Sequence, residues 1–140
     1  MTNIPELADI PGAVREKLAI FLDQRRDHVA EIGAPVSSAM SFLESFVLDG
    51  GKRVRPMYAW AGYLAAGRGS ESPEAMLRAA SSLEFIQACA LIHDDIIDAS
   101  NTRRGKPTVH REAERLHRES DFLGDPEFFG TSVAILAVSY

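Results

Sequence analysis

The stretch from Pro73 to about Ala99 constrains this chain most, because it reads as one long helix that is apolar on most of its faces. Ser72 can accept a bond from the free amides at its start, and Pro73 suits a first turn, where a missing amide proton is not needed. Leu77, Leu83, Phe85, Ile86, Leu91 and Ile92 leave little of the circumference polar. Such a helix is stable when other helices surround it in a larger bundle.

The rest of the chain supplies helices. Val14, Leu18, Phe21 and Leu22 recur at helical spacing after Pro11-Gly12, and Val29 and Ile32 extend the stripe to Gly33. A second helix is expected from about Pro35 through Met40, Leu43, Phe46 and Val47, stopped by Gly50-Gly51. A third is expected over Met57–Ala66, with Pro56 in its first turn and Gly67-Arg68-Gly69 after it. Ser100 to Pro107 is polar and broken by Gly105 and Pro107, hence a loop. A charged helix over Val109–Ser120, a turn at Gly124-Asp125-Pro126 and an apolar helix over Thr131–Tyr140 complete the reading. Strand alternation and internal repeats are not apparent, so the fold class is all-α.

With 140 residues, 46% of them hydrophobic and 25% charged, the chain fits one globular domain spanning 1–140. A domain of this length buries roughly 68–70% of its unfolded surface. No run of about 18 uncharged apolar residues suggests a membrane span. Met1 to Glu6 lacks the basic start and apolar stretch of a secretory signal, so a cytoplasmic location is the default expectation. Cys89 is the single cysteine, which excludes an intrachain disulfide and a cysteine-based zinc site. A net charge of −5 argues against general nucleic-acid binding.

Three charged motifs carry the chemistry. In Asp94-Asp95-Ile96-Ile97-Asp98 the first and last aspartates are four apart, which stacks their carboxylates on one helical face. Like charges at a helix C-terminus are unfavourable unless a cation offsets them. Magnesium is a candidate, since it takes hard oxygen ligands and bridges carboxylates to phosphates. Alone, the pattern more often describes an exposed acidic helix end. Arg103-Arg104-Gly105-Lys106 follows within one loop, and guanidinium groups suit a diphosphate through paired hydrogen bonds. By itself this segment also fits a solvated basic loop. Upstream, Gly50-Gly51-Lys52-Arg53-Val54-Arg55-Pro56 gathers three cations just before a helix start, an anion site or simply a charged connection.

In their order and separation, GGKRVRP, LIHDDIID and TRRGKPTVH resemble the trans-isoprenyl (polyprenyl) diphosphate synthase family over about residues 35 to 137. The resemblance implies the N-terminal half of an isoprenoid-synthase-type helical bundle. It further implies a magnesium-dependent prenyltransferase that condenses isopentenyl diphosphate with an allylic diphosphate and works, at full length, as a homodimer. By the same resemblance Asp94 and Asp98 hold magnesium, Asp95 completes the motif, and Arg103 clamps the allylic diphosphate. Arg104, Lys52 and Arg55 match binders of isopentenyl diphosphate, with Arg53 among them in the same cationic segment. Gln87 stands where many members carry histidine and can still donate a bond to phosphate. His93 and His110 adjoin motifs without occupying a family ligand position and are read as packing or loop residues.

Ile86, Cys89 and Ala90 lie near one line ahead of Asp94. Family members with aromatic residues four or five places before the first aspartate stop chain growth early. The small Cys89 and Ala90 imply a product of geranylgeranyl length or longer, although small residues packed against a neighbouring helix fit equally well.

The family's second aspartate-rich motif has no counterpart in these 140 residues, since Asp121 to Glu127 is interrupted by Gly124 and Pro126. Val138-Ser139-Tyr140 also departs from the family pattern. The expectation is a shifted, early-terminated or cut piece of a longer synthase with negligible activity alone. The alternative is a noncatalytic partner that binds diphosphate and modulates a full-length synthase.

Overall fold

Helix starts and stops follow local capping chemistry more closely than apolar periodicity. A computed structural model describes residues 5–67 and 72–139. The N-terminal Met1–Ile4, the Arg68 and Gly69 of the expected third-helix stop, and Tyr140 lie outside the described residues. Among the described residues the chain is helical, with α1 (Ile10–Ile32), α2 (Ala34–Leu48), α3 (Val54–Ala65), α4 (Pro73–Ile97), α5 (Val109–Glu119) and α6 (Pro126–Ser139). A single 3₁₀ turn, Leu7–Asp9, precedes α1.

The all-α expectation holds, with shifted boundaries. α1 begins at Ile10, so Pro11 and Gly12 sit in its first turn, where an absent amide proton costs nothing. Ser72 caps α4 as expected, its Oγ accepting the Ala75 amide at 3.1 Å. α6 starts well before Thr131, at Pro126, because the Asp125 carboxylate accepts the Phe128 amide at 2.9 Å. The predicted loop 100–107 contains two strands, β1 (Thr102–Arg103) and β2 (Lys106–Pro107), paired antiparallel with Arg103 opposite Lys106. Two-residue strands are too short to show any alternation.

The chain divides into two compact units, Met1–Arg25 with Val47–Gln87, and Arg26–Phe46 with Ala88–Tyr140. In the first, Ile10, Val14, Leu18 and Leu22 form the buried stripe of α1, and Val47, Trp60, Leu77 and Ala80 are also buried. Removing a valine, leucine or isoleucine side chain from water contributes about 1.5–3 kcal/mol. Trp60 is fully enclosed, and its indole N–H donates to the Pro5 carbonyl at 3.2 Å. An edge-on contact joins the Phe21 and Phe85 rings at 5.4 Å.

In the second unit α5 packs along α6, burying Val109, Ala113, Ala134 and Ala137. Gly130 makes the close approach possible: a Cβ there would lie 2.3 Å from the His110 carbonyl oxygen. At the far end of α5, the His117 ring meets Phe129 at a tilt and Phe122 edge-on, at 5.0 and 5.8 Å, and its Nε2 donates to the Leu123 carbonyl at 3.2 Å. The opposite face of α5 is laced with ion pairs, including Arg111 to Glu114 at 2.7 Å and Arg115 to Glu119 at 2.6 Å.

Among the described residues one helix, α4, is long and apolar enough to cross a membrane by length and composition, with a mean hydropathy of 1.3 over an 18-residue window. The sequence expectation concerned an uncharged apolar run, a different measure, since this helix carries Arg78 and Glu84. The interior helix of a folded domain meets the same measure. α4 is partly enclosed: Leu77, Ala80, Ala88 and Ile92 are buried together with the charged Glu84, while Ile86 and Ile97 are exposed.

Candidate active site

The aspartate motif closes α4. Asp98 lies just beyond the last helical residue, yet its amide still donates to the Asp94 carbonyl at 2.9 Å, so the two residues remain one helical turn apart. The helix then ends in a paired set of bonds, Ser100 N–H to the Asp95 carbonyl at 2.9 Å and Ala99 N–H to the Ile96 carbonyl at 3.2 Å, with Ala99 left-handed at φ +49°. That stop turns the chain into the β1–β2 hairpin.

The hairpin is tight. Arg104 and Gly105 both have positive φ, +54° and +79°, as a two-residue turn matched to strand twist requires. Thr108 fastens its base, with its hydroxyl donating to the Ser100 carbonyl at 2.8 Å and its amide to the Asn101 carbonyl at 3.1 Å. This geometry lays Arg103 back on the aspartates and puts Arg104 at the turn, where its guanidinium stands 5.9 Å from the Phe46 ring centre.

Arg103 organises the cluster. Its Nε donates to both Asp95 oxygens at 2.8 and 2.9 Å, and its Nη2 reaches Asp94 at 3.3 Å. The three carboxylates therefore have different standing. Asp95 is 1% exposed and committed to Arg103, whereas the Asp94 side chain is 58% exposed and Asp98 is exposed too. Among the described residues, no three His, Cys, Asp or Glu side chains converge to hold a metal ion. Two exposed carboxylates a turn apart nevertheless fit magnesium, which keeps several waters and fills its remaining positions from a phosphate ligand.

Lys52, Arg53, Arg55, Ile86 and Gln87 belong to the first unit, and Cys89 and Ala90 to the second. Lys52 and Arg55 are exposed, and Gln87 is half-buried. Arg53, expected beside them at the anion, instead turns inward. It is 6% exposed, donating to Glu84 at 2.5 Å and to the Val47 carbonyl at 2.6 Å. Glu84 was missed by motif reading, although a charge between the apolar Leu83 and Phe85 signals a buried partner. Along α4, Ile86 is 66% exposed, Ala90 is exposed and Cys89 is half-buried. His93 is exposed, with Nδ1 at 3.0 Å from the Cys89 carbonyl. His110 is buried and its Nδ1 has no hydrogen-bond partner. Burial first, and the neighbouring Arg111 charge second, lower its pKa below the usual 6.5, outweighing the opposing pull of Asp95, Glu114 and Glu127.

The polyprenyl synthetase family profile matches residues 37–140. Among curated relatives, heptaprenyl diphosphate synthase component 2 of Geobacillus stearothermophilus is 35% identical over 119 residues, covering 85% of this chain and 32% of that protein. Farnesyl diphosphate synthase of Haemophilus influenzae is 35% identical over 99 residues, covering 69% of this chain and 32% of the relative. The chain thus spans about a third of the length of these relatives. Among solved structures, geranylgeranyl pyrophosphate synthase from Corynebacterium glutamicum, crystallised with isoprenyl diphosphate and magnesium, superposes with a TM-score of 0.91. Its identity is 60%, over 96% of this chain and 39% of that one.

Proposed function

The chain belongs to the polyprenyl synthetase family, and from that membership we propose that its aspartate motif and hairpin form the allylic-diphosphate half of an (E)-prenyltransferase site. The reaction is condensation of isopentenyl diphosphate with an allylic diphosphate, giving geranylgeranyl or longer polyprenyl diphosphate and releasing diphosphate. The observation that carries this reading is the unequal use of the three aspartates: Asp95 is spent on Arg103, which leaves Asp94 and Asp98 open to solvent.

Asp94 and Asp98 would hold magnesium, whose chemistry is to neutralise charge on the departing diphosphate. Arg103 would donate to the same phosphate oxygens, and Asp95 keeps that guanidinium from swinging away. Preorganised donors of this kind need no rearrangement as charge develops in the transition state. Lys52, Arg55 and Arg104 would hold isopentenyl diphosphate, with Gln87 able to donate a bond to a phosphate oxygen. Its double bond attacks the allylic carbon as the carbon–oxygen bond breaks, and the proton lost afterwards passes to the released diphosphate. The small Ala90 and Cys89 leave room for a growing chain, which supports the longer product.

The 140 residues contain one aspartate-rich motif where the family uses two, so this chain by itself is expected to bind substrate without turning it over. Calorimetric titration of geranyl diphosphate should show binding that depends on magnesium and is lost in Asp94→Asn/Asp98→Asn. Equal binding without magnesium would remove the metal role. Condensation of radiolabelled isopentenyl diphosphate by the purified chain would overturn the expectation that it is inert alone.

A further inference from the structure

Arg53 sits between two exposed cations, Lys52 and Arg55, yet its own side chain is only 5% exposed. The guanidinium spans two anchors, Glu84 of α4 at 2.5 Å and the Val47 carbonyl at the end of α2 at 2.6 Å. Its backbone is left-handed, with φ +51°, immediately before α3 begins. A left-handed conformation is unfavourable for any residue with a Cβ. Two buried charges persist only where geometry and hydrogen bonding are good. Both features therefore mark a conformation that the surroundings impose.

We propose that Arg53 and Glu84 form a positioning pair: they fasten the Gly50–Arg55 segment to α4 and so present Lys52 and Arg55 outward, ready for a diphosphate. Arg53 itself does not touch substrate. To serve as a ligand it would have to give up both anchors and leave the Glu84 carboxylate buried and unpaired, an arrangement far less favourable than the one observed. Glu84 also lies one turn before Gln87 on α4, so the pair ties the cationic segment to the turn that carries Gln87. The inference rests on the reading of Lys52 and Arg55 as isopentenyl diphosphate ligands.

The test uses the full 140-residue chain, titrated with isopentenyl diphosphate and, separately, with geranyl diphosphate in magnesium, while hydrogen exchange is followed at amides 50–55. Glu84→Gln should weaken isopentenyl diphosphate binding roughly tenfold or more, the scale seen when a residue that orients a ligand is removed. Geranyl diphosphate binding should stay within about twofold, and exchange at 50–55 should quicken. The double variant Arg53→Met/Glu84→Leu replaces the ion pair with apolar side chains, which preserves folding. It should show the same two changes.

If Glu84→Gln leaves affinity unchanged or tightens it while Arg53→Lys weakens it, Arg53 is a direct ligand and the proposal is overturned. Unchanged affinity and unchanged exchange in the double variant would overturn it too, leaving the pair a role in stability alone. Absence of isopentenyl diphosphate binding by the unsubstituted chain, or unchanged binding in Lys52→Ala, would instead sink the ligand reading. Positioning is then judged by exchange, and unaltered protection at 50–55 in Glu84→Gln rejects it.

Discussion

Arg103 grips Asp95 with its Nε donating to both carboxylate oxygens, at 2.8 and 2.9 Å, and its Nη2 2.8 Å from one of them, and Asp95 is almost wholly removed from solvent. The middle aspartate of the motif is thus a structural anchor for the hairpin, whereas Asp94, with one longer bond to Arg103, and Asp98 stay exposed to solvent.

That division predicts opposite effects on stability. Asp95→Ala would leave Arg103, which is about a quarter exposed, with only its longer bond to Asp94, and should cost about 2–3 kcal/mol. Asp98→Ala removes an exposed like charge at a helix C-terminus and should fall within about 0.5 kcal/mol of the parent, on the stabilising side. Urea denaturation followed by circular dichroism separates them, and equal losses would contradict the assignment.

The α5–α6 contact makes a second pair of substitutions diagnostic. Gly130→Ala places a methyl 2.3 Å from a backbone oxygen, which the helices can relieve only by moving apart, so a loss of about 1–3 kcal/mol is expected. Gly62, inside α3, has nothing within 4 Å of the same added methyl. Gly62→Ala should therefore stabilise by about 0.5–1 kcal/mol through helix propensity. Thermal melts of the two variants moving in the same direction would refute the close packing.

His110 gives the chain a dependence on pH. Its folded-state pKa lies below the usual value because burial disfavours the charged ring, so the unfolded chain binds the proton more readily. Stability from this group is complete above about pH 6.5 and declines as pH falls from there towards the lowered value. Denaturation midpoints at pH 7.5 and 5.5 should differ less in His110→Phe than in the parent. An identical difference in both would show that other groups set the slope.

Ala90 offers a test of product length. In a full-length relative, phenylalanine at the position matching Ala90 should shorten the main product by at least one isoprene unit, read by chromatography of the dephosphorylated alcohols. An unaltered product would place the growing chain elsewhere.

The periodicity of α1, α2 and α4, the Ser72 cap and the three charged motifs are local properties, which is why they could be read directly from the residues. Boundaries went astray where a capping side chain overrode periodicity, as Asp125 does for α6, or where an element was too short to have a period, as in β1 and β2. Motif spacing named the charges without saying which would be used up. Arg53 and Lys52 are adjacent and equally basic, yet one is buried against Glu84, thirty-one positions along the chain, and the other is exposed. Likewise Arg103 reaches both Asp94 and Asp95 once the hairpin folds back, yet it encloses Asp95 and leaves Asp94 more than half exposed. A residue's type and its neighbours in sequence set what chemistry it can offer. Whether that chemistry is spent inside the fold depends on partners brought near by packing, because a buried charge must be paired and an exposed one need not be.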